Sequence, residues 1–178
     1  TIIKNDNFSW NSDFNISFIN NKVKKLPGGN DIQQTERYLF GGVVSILREG
    51  ESLGSFYLYE SNGVFSTAKE AAEAGDIDKI SKSNGGHPVA GDARWVDQNK
   101  DGVIDTKDKI IAGNPIPDFT GGLNNTFKYK GLSLDAFFQF SKGNDVYNNF
   151  RTDLVRGFNT NYLKENLDAW KQEGDITD

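Results

Sequence analysis

Period-two alternation of side chains constrains this chain more than any other feature. In residues 8 to 20, FSWNSDFNISFIN, one side of an extended backbone takes Phe8, Trp10, Phe14, Ile16 and Phe18. The other side takes Ser9, Asn11, Asp13, Asn15 and Ser17. A second instance is the pair GLNNTFKY and LSLDAFFQF, separated by Lys130-Gly131, a two-residue connection suited to a tight hairpin. Opposing Tyr129 to Leu132 sets the register, so that Phe127 faces Leu134 and Leu123 faces Phe138 on an apolar side. Lys128, Thr126, Asn124, Ser133, Asp135 and Gln139 populate the polar side, with Phe137 as the exception. A helix of 3.6 residues per turn would scatter these residues around its surface. The chain is therefore read as mainly β, with antiparallel strands.

Between the strands lies a region of about residues 21 to 118, rich in Gly, Asn, Asp and Ser, which is too long for a hairpin loop. It holds short strand-like runs, GGVVSILREG and GSFYLYES. Two helices are expected. STAKEAAEAG has capping-box spacing at Thr67 and Glu70 and a stop at Gly75, and YLKENLDAWKQEG puts Leu163, Leu167 and Trp170 on one face. No run of about 18 apolar residues exists to make a membrane-spanning helix. A net charge of -5, without the clustered excess of Lys and Arg that neutralising a nucleic-acid backbone needs, argues against a nucleic-acid partner and favours cations. The absence of Cys removes thiolate chemistry and makes a structural zinc site an unsuitable reading. An opening at TIIKND and an end at GDITD suggest a piece of a longer protein.

The stretch DQNKDGVIDTKD, residues 97 to 108, carries the clearest chemistry. Calcium takes six to eight hard oxygen ligands, and a twelve-residue loop supplies them from positions 1, 3, 5, 7, 9 and 12 around a Gly at position 6. Those positions are Asp97, Asn99, Asp101, the Val103 carbonyl, Asp105 and Asp108, with Gly102 at the turn. Ile104, at position 8, would anchor the loop to the body of the protein. Position 12 is Asp where a sensor loop has Glu, and the preceding GDARWV reads as turn and strand, so a helix-loop-helix sensor does not fit. The loop resembles the single calcium loops of extracellular modules, where the ion is structural; a solvated Asp-Gly turn is the alternative.

Other candidates are weaker. His87, the one imidazole, sits in a Gly-rich loop with no nucleophile pattern, and the pairs Asp76/Asp78 and Glu49/Glu51 read as solvated charge rather than glycosidase acids. No glycine arrangement makes a phosphate cradle. Nothing here marks an enzyme. Phe56, Tyr57, Tyr59 and Phe65 could line a sugar or peptide surface, although alternation with other residues also fits a half-buried strand.

Taken in order, FSWNSDFNISFINNKV, REGESLGSFYLYESNGVF and the run from GDARWV through the acidic loop, Gly113-Asn114-Pro115, the tight hairpin and Gly143-Asn144-Asp145 are similar to the SusC/RagA family of TonB-dependent outer-membrane receptors. The resemblance covers most of residues 8 to 150. It implies a late portion of a transmembrane β-barrel in the bacterial outer membrane, importing glycan fragments or peptides. The implied partners are a SusD-like surface lipoprotein, outer-membrane lipid, and the TonB complex through regions outside this chain. On that reading residues 1–20 form a barrel strand and 21–118 an extracellular region with short helices and the calcium loop. Residues 119–142 form a barrel hairpin with a periplasmic turn at Lys130-Gly131, and 143–178 a further extracellular segment. Strands of 9 to 11 residues with apolar residues toward lipid and polar ones toward the lumen agree with it. The competing expectation is a secreted, calcium-stabilised β domain such as a carbohydrate-binding module, in which the apolar faces would meet a second sheet.

Overall fold

The computed structural model describes residues 1–35, 43–80, 86–156 and 163–176. Its strands are β1 (Ile3–Lys4), β2 (Phe8–Phe18), β3 (Ile32–Thr35), β4 (Val43–Leu47), β5 (Ser55–Tyr59), β6 (Ser61–Val64), β7 (Ala93–Trp95), β8 (Lys109–Gly113), β9 (Phe119–Tyr129) and β10 (Leu132–Lys142). Two α-helices, α1 (Ala68–Ala74) and α2 (Asn149–Arg156), and short 3-10 turns complete it. The chain divides into two compact units that interleave in sequence. The first is Thr1–Ile32, Ile46–Ser55 and Gly113–Val146; the second is Gln33–Ser45, Phe56–Ala112 and Tyr147–Asp178.

The first unit is built on an antiparallel sheet of order β1-β2-β9-β10. The hairpin register is the one the alternation predicts, with Tyr129 opposite Leu132, Phe127 opposite Leu134 and Leu123 opposite Phe138. β2 pairs along the other side of β9 from Phe8↔Tyr129 to Phe18↔Phe119, which places the apolar residues of the three strands, Phe137 excepted, on one face. At the turn Lys130 takes a left-handed conformation (φ 52) and donates its N–H to the Asn7 carbonyl at 2.9 Å. Trp10 stacks on Phe127 with centroids 5.6 Å apart, and its Nε1 donates to Asn125 Oδ1 at 3.0 Å, so the one amide on the apolar face is partnered.

Gly121 and Gly122 of β9 explain how the rings pack. A Cβ at Gly121 would lie 2.4 Å from the Phe140 ring and 2.7 Å from the Asn15 carbonyl oxygen, so the missing side chain lets Phe140 cross β9 and stack on Phe14 at 6.2 Å. On the opposite face Phe137 covers Gly122. The apolar face itself is open: Phe18 is 76% exposed, Leu134 63% and Phe138 59%. Among the described residues this sheet is open rather than a closed barrel, β10 pairs with β9 alone, and no second sheet buries the rings. The interior expected of a two-sheet module is therefore not formed by this face.

Both ends of the hairpin are tied down away from the turn. Asp118 N–H donates to the Lys142 carbonyl at 2.9 Å, and Ile19 N–H to the Asp118 carbonyl at 2.8 Å. Asp145 Oδ2 accepts from the Asn114 amide at 2.9 Å, and its own N–H donates to the Asn114 carbonyl. Gly113 is required beside it, because a Cβ there would lie 2.7 Å from the Asp145 carboxylate. Ile46 and Leu26 form the small buried core of this unit.

The second unit contains most of a sheet of order β3-β4-β5-β8, together with the β6-β7 pair and α1. Thr67 caps α1 by accepting from the Glu70 amide at 3.2 Å while Glu70 Oε2 accepts from the Ser66 amide. The helix expected over 162–174 is corrected: only a 3-10 turn, Lys164–Asp168, forms there, and Tyr162 lies outside the described residues. Tertiary contacts claim the rest, since Trp170 lies on Gly91, donates Nε1 to the Ser66 carbonyl, and is followed by a Gly174 N–H bond to the same oxygen. Among the described residues Tyr57, Phe65, Ala71 and Ile104, with Pro88, are buried apolar side chains of this unit.

Candidate functional site

Residues 97 to 108 fold into a closed loop whose side chains receive its own backbone amides. Asp97 accepts from Lys100 N–H at 2.7 Å and Gly102 N–H at 2.9 Å, Asn99 Oδ1 from Asp101 N–H at 2.8 Å, and Asp101 Oδ1 from Val103 N–H at 2.9 Å. This winding needs positive φ at Lys100 (58) and Gly102 (82), and at the second of these Gly carries no Cβ penalty. Asp105 then caps the 3-10 turn Thr106–Asp108. Ile104 is buried and bonds on both sides to the 77–79 segment, donating to the Ile77 carbonyl at 2.7 Å and accepting from Lys79 N–H at 3.0 Å. It anchors the loop as its place in the pattern predicts.

Asp108 differs from the other acids. It is wholly buried, and its oxygens accept backbone N–H groups from Gln98 at 3.0 Å, Asn99 at 3.4 Å and Asp105 at 2.7 Å. These bonds join the start of the loop to its end. Its first task is thus to close the loop. The donor set is all oxygen, which suits a hard cation, and a carboxylate oxygen that accepts one N–H keeps a lone pair for a metal. Among the described residues no three carboxylate or imidazole side chains are grouped closely enough to hold an ion by themselves. Any ion here would need the Asn99 amide and the Val103 carbonyl as well.

Beside the loop stands a cluster that sequence reasoning did not assemble. The Tyr59 and Trp95 rings are 5.7 Å apart, and Lys109 Nζ lies 5.0 Å from the Tyr59 centroid and 5.6 Å from that of Tyr57. Burial lowers the Lys109 pKa; burial first, then the Asp105, Tyr57 and Asp108 charges, raises that of Tyr59. Trp95 and Lys109 bracket the acidic loop in sequence, so closing the loop brings them together; that flanking position was the available signal. Gln98 Nε2 bonds Glu60 Oε2, and Val96 N–H bonds the Glu60 carbonyl at 3.0 Å, which ties the loop to the strand bearing Tyr59.

The four aromatic candidates separate by exposure. Tyr57 and Phe65 are 6% and 3% exposed, so their rings belong to the core and are withdrawn from a surface role. Phe56 and Tyr59 are half-buried, Phe56 lying 6.3 Å from the Tyr147 ring. His87 is an exposed loop residue whose Nδ1 sits 3.2 Å from the Gly75 carbonyl.

No protein-family model matches the chain. It is 35% identical over 178 residues to TonB-dependent receptor P3 of Formosa agariphila, covering 99% of this chain and 17% of that protein. It is 31% identical to TonB-dependent receptor P26 of the same organism, again over 17% of its length. To TonB-dependent receptor SusC of Bacteroides thetaiotaomicron it is 26% identical over 149 residues, which are 80% of this chain and 13% of SusC. The fold is similar to that in a structure of the RagAB peptide transporter, with a TM-score of 0.69 at 22% identity over 99% of this chain and 18% of that one. The chain thus spans less than a fifth of each of these relatives.

Proposed function

Since this chain belongs to the SusC/RagA family of TonB-dependent receptors, we propose that it forms wall strands and outer surface of an outer-membrane importer of glycan fragments or peptides. The observation that carries this reading is the open ring-bearing face of β2, β9 and β10, whose rings are too exposed for a soluble core. Eleven-residue strands match the length a tilted strand needs to cross the hydrocarbon. Phe14, Phe138 and their companions meet lipid, Thr126, Asp135 and Gln139 line the wet bore, and Lys130-Gly131 turns on the periplasmic side.

The second unit then serves as outer surface, where a SusD-like lipoprotein covers the bore. Energy comes from the TonB complex through parts of the receptor beyond these 178 residues. Phe56 and Tyr59, with Trp95, offer rings to a sugar or peptide. Calcium held by Asp97, Asn99, Asp101, the Val103 carbonyl, Asp105 and a remaining lone pair of Asp108 braces that surface. Its affinity falls in the roughly 0.1 to 1 mM range of extracellular sites.

Nitroxide labels test the wall. In the intact receptor in a bilayer, a label at Phe138 should be relaxed by dissolved oxygen and one at Gln139 by a water-soluble nickel chelate. Identical accessibility at the two positions would remove the lipid-facing assignment. Calorimetry tests the ion: millimolar calcium should give binding heat that Asp101→Ala abolishes, and an unchanged heat in that variant would refute the site.

A further inference from the structure

We propose that the sheet rim opposite the Lys130-Gly131 turn holds the phosphorylated headgroup of an anionic membrane lipid, an inference that rests on the apolar face meeting hydrocarbon. At that rim the face ends in one registered row, Phe18, Phe119 and Lys142. The Phe18 and Phe119 rings are 5.9 Å apart, and Lys142, two residues past Phe140, stands on the same side of the sheet. Ile19, 40% exposed, follows, and Lys22, Lys24 and Lys25 come within the next six residues.

Lys22 and Lys24 line one concavity of about 500 Å³ with Asn20, Val23 and Gly50. Its backbone is fixed, because Val23 N–H donates to the Glu51 carbonyl at 2.8 Å and the Val23 carbonyl accepts from Gly50 N–H at 2.9 Å. Among the described residues none of Lys22, Lys24, Lys25 and Lys142 forms an ion pair. Two of the neighbouring acids are turned to other tasks, and Glu51 meets Val23 through its backbone carbonyl. Glu49 accepts the Leu26 amide at 2.7 Å, and the Asp118 carboxylate lies against Gly143, on the alternate side of the strand from Phe119. At the opposite rim, by contrast, the Lys130 ammonium already sits 5.3 Å from the Tyr129 ring.

A row of rings ending in unpaired ammonium groups matches an amphiphile with acyl chains and an anionic head. Lysine stems lie along apolar surface while their charges reach the headgroup layer. An acidic peptide would satisfy the lysines and leave the rings uncovered, so the lipid is the occupant that fits both. In a chain of net charge -5 this local excess of cation is the reverse of the average.

The test uses the intact receptor in phosphatidylcholine nanodiscs doped with diphosphoryl lipid A, with native mass spectrometry counting the lipid A retained. The triple variant Lys22→Ala/Lys24→Ala/Lys142→Ala should retain it about a hundredfold less, the equivalent of roughly 1 kcal/mol for each of the three lysines near a charged surface. The corresponding Lys→Arg variant should retain it normally, as should Lys69→Ala. Equal retention by the triple alanine variant overturns the proposal, and so does displacement by millimolar inorganic phosphate, which would make the ligand a soluble anion. A receptor that enters the discs but holds no lipid A overturns this inference alone; one that does not enter them overturns the membrane reading as well.

Discussion

A single missing side chain, at Gly121, governs how three strands share one layer of rings. Phe140 on β10 reaches Phe14 on β2 only by passing over β9 at a point without a Cβ. Gly121→Ala should therefore cost about 1–3 kcal/mol, the usual range for overpacking, read as a lower denaturation midpoint of the intact receptor. Adding Phe140→Ala should restore part of that loss and no more, because the new methyl still meets the Asn15 carbonyl at 2.7 Å. Wild-type stability for Gly121→Ala would mean that the rings do not pack as described. Residue-scale detail of this kind was only half legible. The sequence marks Phe137 as out of pattern on the polar face, yet its reason, the bare backbone of Gly122 in the neighbouring strand, depends on a pairing of β9 with β10 that alternation suggests and only coordinates fix. The same holds for Phe56 and Tyr57: alternation says they point to opposite sides but not which side is buried.

Among the elements, those whose information is local were read correctly. The hairpin needs only a two-residue turn and two matching alternations, and α1 needs only its cap and its alanines. The segment after residue 163 misled because Leu163, Leu167 and Trp170 have helical spacing, while the Trp170 ring and the Gly174 amide are both engaged by residues some hundred positions earlier. α2 went unread although Asn148, whose Oδ1 accepts from Arg151 N–H at 2.9 Å, is an ordinary N-cap signal. The acidic loop was legible as a pattern, but not the division of labour within it. Asp108 holds three backbone amides in a buried position, whereas Asp101 accepts the Val103 amide and the Asn99 side-chain amide at an exposed one. Leaving a buried amide unpartnered costs about 1–3 kcal/mol, whether or not an ion is bound. Hydrogen exchange across 97–108 should accordingly quicken in Asp108→Ala both with calcium and with chelator. In Asp101→Ala the larger change should appear only with calcium. If the two variants behave alike in chelator, Asp108 has no separate closing role.

At the scale of the molecule, the two units interleave, so that residues 21–32 and 46–55 join the strand sheet while 56–112 belong elsewhere. No composition shift marks those crossings, because they are set by backbone pairing between distant segments rather than by any local preference. What was legible is that the strands have two unlike faces. That asymmetry has a cost outside a membrane. Among the described residues β10 has one unpaired edge over its eleven residues and carries Leu132, Leu134 and Phe138 on an exposed face, which is the combination that soluble proteins avoid by placing charge on the edge or covering it. The 178-residue chain made alone in plain buffer should therefore associate edge to edge, giving large species in sedimentation velocity that detergent micelles disperse. Replacing Leu134 and Phe138 together by Lys should shift the distribution toward monomer, since two like charges per strand repel in any in-register pairing and also weaken the apolar contact between stacked faces. A wild-type chain that sediments as one small species and melts cooperatively without detergent would show that its edges and rings are satisfied internally, and the wall assignment would fall with them.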